Sequence, residues 1–306
     1  MILAVCLNPA LDVTYSVTAL RPGTSHTVSA VHHRAGGKGV NVARVLAQVG
    51  EAVTVCGFAG GSTGRRLRDE LTGSGVADRL TGIAGDTRQC VTVVDDADAT
   101  VFNEPGPAVA DSDWDRLADT FEQQLAGCAA AVMSGSVPPG APADAYARLV
   151  RIARRHGVPT VVDTSGAHLR TAADAGPTVL APNRDEVGLP SGGRAELLAA
   201  AAELSRRGGG TAVISAGRDG LVAVSGEHRW WARPPRQVTG NPTGAGDALS
   251  AGLARGLARG AAWPLVLADA LALAAAAVAA PVAGQVELSL YRELAELSTV
   301  EDASCP

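Results

Sequence analysis

Aromatic residues are scarce: Phe, Trp and Tyr together make up 3% of the 306 residues. Lysine is scarcer still, since 25 of the 26 basic residues are Arg and the only Lys is Lys38. There is no block of like charge. Acids and bases interleave to a net charge of −5, which argues against nucleic-acid or membrane partners. The five cysteines (Cys6, Cys56, Cys90, Cys128, Cys305) form no Cys-x-x-Cys pair and no metal-like spacing with His. Their number is odd and Cys6, Cys56 and Cys90 lie in apolar strand-like runs, so they read as buried free thiols of a reducing compartment. The longest apolar stretch, 270–284, is 15 Ala-rich residues, too short to span a bilayer and expected to be a buried helix broken at Pro281. Met1 to Leu7 has no basic leader and runs straight into Asn8-Pro9, which reads as a first strand rather than a signal peptide. A soluble, cytoplasmic protein is expected.

What is present is small and apolar. Hydrophobic residues make up 46% and glycine numbers 36, which suits α/β layers packed through small side chains better than an aromatic-rich β-sandwich. Uninterrupted apolar runs at 2–7, 52–56, 130–133, 160–162, 178–180 and 211–214 predict parallel strands covered on both faces. Between them, 39–49, 62–71, 111–125, 142–156 and 194–207 predict helices. Val42, Val45, Leu46 and Val49 share one face of the first, and Gly50 stops it. This alternation predicts an α/β fold with a doubly wound, mostly parallel sheet, and ligands at the carboxyl ends of its strands. Two segments break it: 12–17 with 27–33, and 90–94 with 100–103, which read as antiparallel hairpins forming a small second sheet, either a lid or an ordinary edge hairpin. No linker divides the chain, so residues 1–306 are expected to form a single domain with a lid at about 12–33 and 88–104. After Gly240 only helices are expected, at 244–259, 263–280 and 290–297.

Chemistry concentrates in glycine-rich turns. Gly240-Asn241-Pro242-Thr243-Gly244-Ala245-Gly246-Asp247 runs directly into a helix, where backbone N–H groups and the helix dipole favour an anion. Asp247 repels a phosphate, so it is either a general base taking a proton from an attacking hydroxyl or a carboxylate stabilising the helix start. Ala35-Gly36-Gly37-Lys38-Gly39-Val40-Asn41 is neither a Walker A loop nor a dinucleotide fingerprint. Its lone ammonium at a helix start suits either a sugar hydroxyl or phosphate that a guanidinium fork would not fit, or a plain glycine turn carrying a solvated Lys. The cluster 57–64 is a tight strand–helix turn. Asn183 and Glu186, three apart, suit either a hydrated Mg²⁺ beside phosphates or a capping box.

In order along the chain, Leu7-Asn8-Pro9-Ala10-Leu11-Asp12, the 35–44 stretch, Asn103-Glu104-Pro105-Gly106-Pro107, Ser134-Gly135-Ser136-Val137-Pro138-Pro139-Gly140, Asp163-Thr164-Ser165-Gly166, Pro182-Asn183-Arg184-Asp185-Glu186 and Gly244-Ala245-Gly246-Asp247 resemble the ribokinase-like (PfkB) carbohydrate kinases. The likeness is greatest to the branch containing 1-phosphofructokinase and tagatose-6-phosphate kinase. It implies an α/β core with a β lid, ATP as donor and Mg²⁺ as cofactor. Carried over by position, Asp247 is the catalytic base, and Gly244, Ala245 and Gly246 form the anion hole. Asp12, Gly37, Lys38 and Asn41 bind the sugar, and Arg88 and Ser136 hold the phosphate already on it. Asn183 and Glu186 attend the metal, while Ser215, Gly217, Asp219, Gly220 and Thr243 lie on the nucleotide side. The 280–284 segment walls the adenine.

The implied reaction is phosphorylation of a primary hydroxyl of a ketohexose phosphate, with fructose 1-phosphate going to fructose 1,6-bisphosphate as the leading reading. Tagatose 6-phosphate, fructose 6-phosphate or an unphosphorylated sugar are the alternatives, and a non-catalytic sugar- or nucleotide-binding regulator is the reading from another class. A homodimer through exposed lid strands is also implied. Three departures stand out: His26-Thr27 replaces the usual lid Asn-Arg pair, Pro242-Thr243 replaces Thr-Val, and Ala181 replaces the usual Lys before Pro182.

Overall fold

Uninterrupted runs of β-branched and small apolar residues leave no solvent face, so such strands are stable only between two helical layers. The computed structural model, which describes residues 1–95 and 99–303, has that form. Cys305 and positions 96–98 of the expected lid span lie outside the described residues. The chain runs β1 (Ile2–Cys6), β2 (Ala10–Ser16), β3 (Ala30–Gly36), α1 (Lys38–Gln48), β4 (Val53–Gly60), α2 (Gly61–Gly73), β5 (Ala77–Ile83), β6 (Gln89–Val94), β7 (Ala99–Asn103) and α3 (Asp111–Gln124). It continues through β8 (Ala130–Ser134), α4 (Ala145–Arg155), β9 (Thr160–Asp163), α5 (Gly166–Asp174), β10 (Val179–Leu180), α6 (Arg194–Gly208), β11 (Thr211–Ser215), β12 (Leu221–Ser225), β13 (His228–Ala232), α7 (Ala245–Ala258), α8 (Trp263–Val278), α9 (Leu288–Leu297) and β14 (Val300–Asp302).

The main sheet has the order β14-β13-β12-β11-β10-β9-β8-β1-β4-β5. It is parallel from β11 across to β5 and antiparallel through β12, β13 and β14. Alternation along β1 shows how it is buried. Ile2, Ala4 and Cys6 join the cluster containing α1, α7 and α8, while Leu3, Val5 and Leu7 join that of α3, α4 and α5. Each fully buried Leu or Val contributes about 1.5–3 kcal/mol. Glycine and alanine set the helix spacing: a Cβ on Gly256 of α7 would stand 2.7 Å from the Val266 methyls of α8, and Gly252 lies against Ala270. Aromatic side chains would not fit such close helix pairs, consistent with their scarcity.

The second sheet has the order β3-β2-β6-β7, with β2–β3 and β6–β7 antiparallel and β2–β6 parallel. The two expected hairpins are thus joined edge to edge through the parallel pair. All five residues of β7 are exposed.

Three expectations need correction. The chain does not end in helices alone, because β14 returns to pair with β13; Val-Glu-Asp at a sheet edge carries no periodic signal. The helix expected from 142 begins at Ala145, its first turn being replaced by an Ala145 N–H bond to the Pro142 carbonyl. Cys90 and Cys128 are half-buried rather than buried. Cys6 and Cys56 are free and buried as expected, and burial raises their thiols to about 11 and about 12, which keeps them protonated and inert. Strands β5, β12 and β13 and helix α5 had not been singled out. Helix α8 stops before Pro281, and no described helix is long and apolar enough to cross a membrane.

Candidate active site

Five of the turns that carried a chemical signal follow the carboxyl end of a parallel strand: Asn8 after β1, Ser136 after β8, Asp163 ending β9, Asn183 after β10 and Gly217 after β11, while the 35–41 turn follows β3 of the second sheet. The N-terminus of α7 comes to the same edge. Gly244 caps it with φ 88, and a Cβ there would stand 2.9 Å from the Ala283 Cα, so only glycine lets the helix start against the 281–284 segment. The Ala245 amide bonds back to the Pro242 carbonyl at 3.1 Å, which leaves Gly246 and Asp247 as the helix-start amides without an intrahelical acceptor.

Asp247 is 5% exposed. Its Oδ2 accepts from the Asn41 carboxamide at 2.8 Å, across the gap between α7 and α1. Burial, and next the Asp163 carboxylate, raise its pKa to about 7; the Asn41 bond and Lys38 oppose them. Gly37 caps α1 with φ 94, and a Cβ there would meet the Cys6 Sγ at 3.0 Å. This tight turn delivers Lys38 to the strand ends.

The Lys38 ammonium bridges Asp163 at 3.2 Å and Glu186 at 3.4 Å. Burial alone would lower its pKa, but Asp163, Glu186 and Asp247 together raise it, so it stays charged. Asp163 is 4% exposed and its Oδ2 accepts from the Ser134 hydroxyl at 2.8 Å. Lys38 therefore stands in a triangle of carboxylates.

Asp12 packs against Gly36, whose missing side chain is filled by the carboxyl group, and it pairs in register with Arg34. Burial raises Asp12 to about 6, although Arg88, Arg34 and Arg44 pull the other way. Arg88 donates to the Asn8 carbonyl (3.1 Å) and the Glu104 carbonyl (3.1 Å). Ser136 accepts from the Asn8 carboxamide at 3.1 Å.

Asn183 and Glu186 cap one another: each backbone N–H bonds the other's side-chain oxygen at 2.9 Å. No group of three His, Cys, Asp or Glu among the described residues is arranged to hold a metal. Asn183 and Glu186 would hold a hydrated Mg²⁺ through its water molecules, since they do not form a cage of protein ligands. Ser215, Gly217, Asp219 and Gly220 line a cleft of about 830 Å³ that continues to Gly246 and is walled by α8 at Leu271 and Val278. Thr243 is exposed, and its amide bonds to the Asn241 side chain at 3.0 Å. His26 is bound up in its own loop, accepting from the Arg21 amide at 3.1 Å.

Sequence reasoning assigned no role to Arg34, Arg44 or Asp163. Arg34 Nε and Arg44 Nη1 are buried with no acceptor among the described residues. Burial lowers both pKa values, Arg34 to about 10 with Arg44 the next cause. The pairing of Asp12 with position 34 could have been drawn from the hairpin register, but the approach of α1 could not.

The profile of the pfkB family carbohydrate kinases matches residues 3–287. The chain is 38% identical to a 1-phosphofructokinase of Xanthomonas campestris pv. campestris over 260 residues, covering 82% of each. The tetrameric inhibited form of phosphofructokinase-2 from Escherichia coli superposes with a TM-score of 0.89 at 26% identity, over 96% of this chain and 98% of that one. The same enzyme in complex with fructose-6-phosphate gives 0.86 at 26% identity and the same coverage.

Proposed function

The chain belongs to the pfkB family of carbohydrate kinases and is a phosphotransferase with an alcohol group as acceptor, and we propose that it moves the γ-phosphoryl group of ATP to a free primary hydroxyl of fructose 1-phosphate. The observation that carries this reading is Asp247, buried and oriented by Asn41 at an anion-favouring helix start. An aspartate with a pKa of about 7 is matched to proton transfer near neutrality.

In this reading Asp12 and Gly37 hold sugar hydroxyls, and Asp247 takes the acceptor proton as the new P–O bond forms. The Gly246 and Asp247 amides face the charge that develops on the transferred group. Lys38, held by Asp163 and Glu186, presents its ammonium between the sugar and the phosphates. Magnesium, when bound on the nucleotide, neutralises phosphate charge. The cleft lined by Ser215, Gly217, Asp219 and Gly220 takes the nucleotide, and the second sheet closes over the sugar to exclude water.

The cationic wall of Arg88, Arg34 and Arg44 around Asp12 supports an acceptor that already carries a phosphate. The 38% identity to a 1-phosphofructokinase supports the 1-phosphate over the 6-phosphate. Exposed Val31, Val101 and Phe102 on the second sheet support pairing of two copies through it. The test is kcat/KM for fructose 1-phosphate, fructose 6-phosphate, tagatose 6-phosphate and the free sugars in an ATP-coupled assay. The reading expects fructose 1-phosphate to lead by about tenfold or more, equivalent to about 1.4 kcal/mol; a free sugar in the lead overturns it.

A further inference from the structure

A second cavity, of about 420 Å³, opens beyond the catalytic cleft between the start of α6, the edge strands β13 and β14, and the turn that carries Arg184. Three guanidinium groups line it, those of Arg184, Arg194 and Arg233, against two carboxylates, Asp219 and Glu301. Arg194 pairs with Glu301 at 2.7 Å and Arg184 with Asp219 at 2.8 Å. Arg233 has no ion pair among the described residues, yet it is held in place over the Trp231 ring at 5.2 Å, and Arg194 lies over the same ring at 5.5 Å. Arg184 Nε is buried with no acceptor.

Two of the three guanidinium groups already have carboxylate partners, which leaves the exposed Arg233 as the cation open to an anion. A stacked guanidinium is pre-ordered, so little freedom is lost when it binds, and its planar fork matches phosphate oxygens in pairs. The cap Gly193 of the 15-residue α6 also lines the cavity, with its N–H taken by the Glu196 carboxylate at 2.8 Å. The volume suits a small molecule and not a macromolecule.

We propose that this cavity binds a small phosphate-bearing anion as a site separate from the catalytic cleft. Its link to catalysis is Arg184, which lines both cavities and donates to the Ala216 carbonyl at 2.9 Å as well as to Asp219. An anion that draws Arg184 away from Asp219 loosens the 216–220 turn and weakens nucleotide binding. That coupling rests on the nucleotide reading of the turn; the binding itself does not.

The test is calorimetric titration of the full chain with inorganic pyrophosphate at fixed ionic strength, with a non-hydrolysable ATP analogue present in excess to block the catalytic cleft. Tryptophan emission, to which Trp231 contributes along with three other tryptophans, is followed in parallel. One saturable site is expected, weakened about tenfold or more by Arg233→Ala and by Arg194→Ala and less by Arg233→Lys, with each variant keeping the wild-type melting profile. The ATP KM of the wild type should rise about threefold or more with pyrophosphate present, and that of Arg233→Ala should not. Absence of saturable binding overturns the site, as does binding that both alanine variants leave intact. Binding without a change in ATP KM overturns the coupling. Lack of kinase activity on every sugar would defeat the proposed function and leave the calorimetric result readable.

Discussion

Asn41 and Asp247 lie 206 positions apart, and the carboxamide of the first donates to the carboxylate of the second at 2.8 Å with both side chains buried. One is on α1 and the other on α7, so the bond joins the sugar-side turn to the anion-side turn. Asn41 can satisfy one carboxylate oxygen and leave the other for a substrate hydroxyl, which both orients the base and keeps its burial tolerable.

Asp247→Asn preserves shape and the contact with Asn41 but removes the proton acceptor. Turnover is expected to fall about 10²–10⁴-fold with the melting temperature not lowered and nucleotide affinity unchanged. ADP release and a thermal melt check this; near-normal turnover contradicts the assignment.

Asp247 acts as a base only when ionised, so kcat/KM should climb as pH rises through about 7 and level off above it. Stability should run the other way. The folded protein holds this proton more tightly than the unfolded chain, whose carboxyl titrates near 3.8, so the contribution is full below 3.8 and declines as pH rises to about 7. Asp247→Asn should flatten both limbs, as read from rate and melting profiles between about pH 5 and about pH 9.

Lys38→Ala leaves Asp163 and Glu186 without their shared cation. The sugar KM should rise by about tenfold or more while the ATP KM changes much less, since about 1.4 kcal/mol separates a tenfold change. The opposite split would place Lys38 on the nucleotide.

Gly36→Ala puts a methyl group where the Asp12 carboxyl lies, although Gly36 is extended in β3 and tolerates the backbone. Sugar affinity should drop as far as in Asp12→Ala, and the double variant should be no worse than either, because both remove the same group. Additive losses in the three KM values would separate the two residues.

Phe102→Asp places a charge on a side chain that is 56% exposed on the outer strand of the second sheet. If that sheet pairs two copies, the variant elutes as a monomer with its melting profile unchanged; light scattering coupled to gel filtration reads the mass, and an unaltered dimer locates the contact elsewhere.

Much of the fold is legible locally. The runs 2–7, 130–133 and 211–214 became β1, β8 and β11 within a residue, because a strand covered on both faces must be apolar throughout. The glycine turns at 35–41 and 240–247 fell at helix starts, since only glycine permits those dihedrals and approaches. The edge strands were less legible. Ala77–Ile83 has one wet face and Val300–Asp302 is three residues long, so neither carries a hydrophobic period strong enough to read.

Composition and short-range pattern determined which segments are strands and helices, where the tight turns fall and which of them favour anions, because these depend on backbone freedom and on the spacing of apolar residues within a few turns of chain. Only the assembled molecule decided that Lys38 stands between Asp163 and Glu186, that Arg34 and Arg44 close on Asp12, and that Arg184 divides two cavities. Those arrangements depend on distances between elements far apart in the chain, set by how closely glycine and alanine let helices and sheet approach.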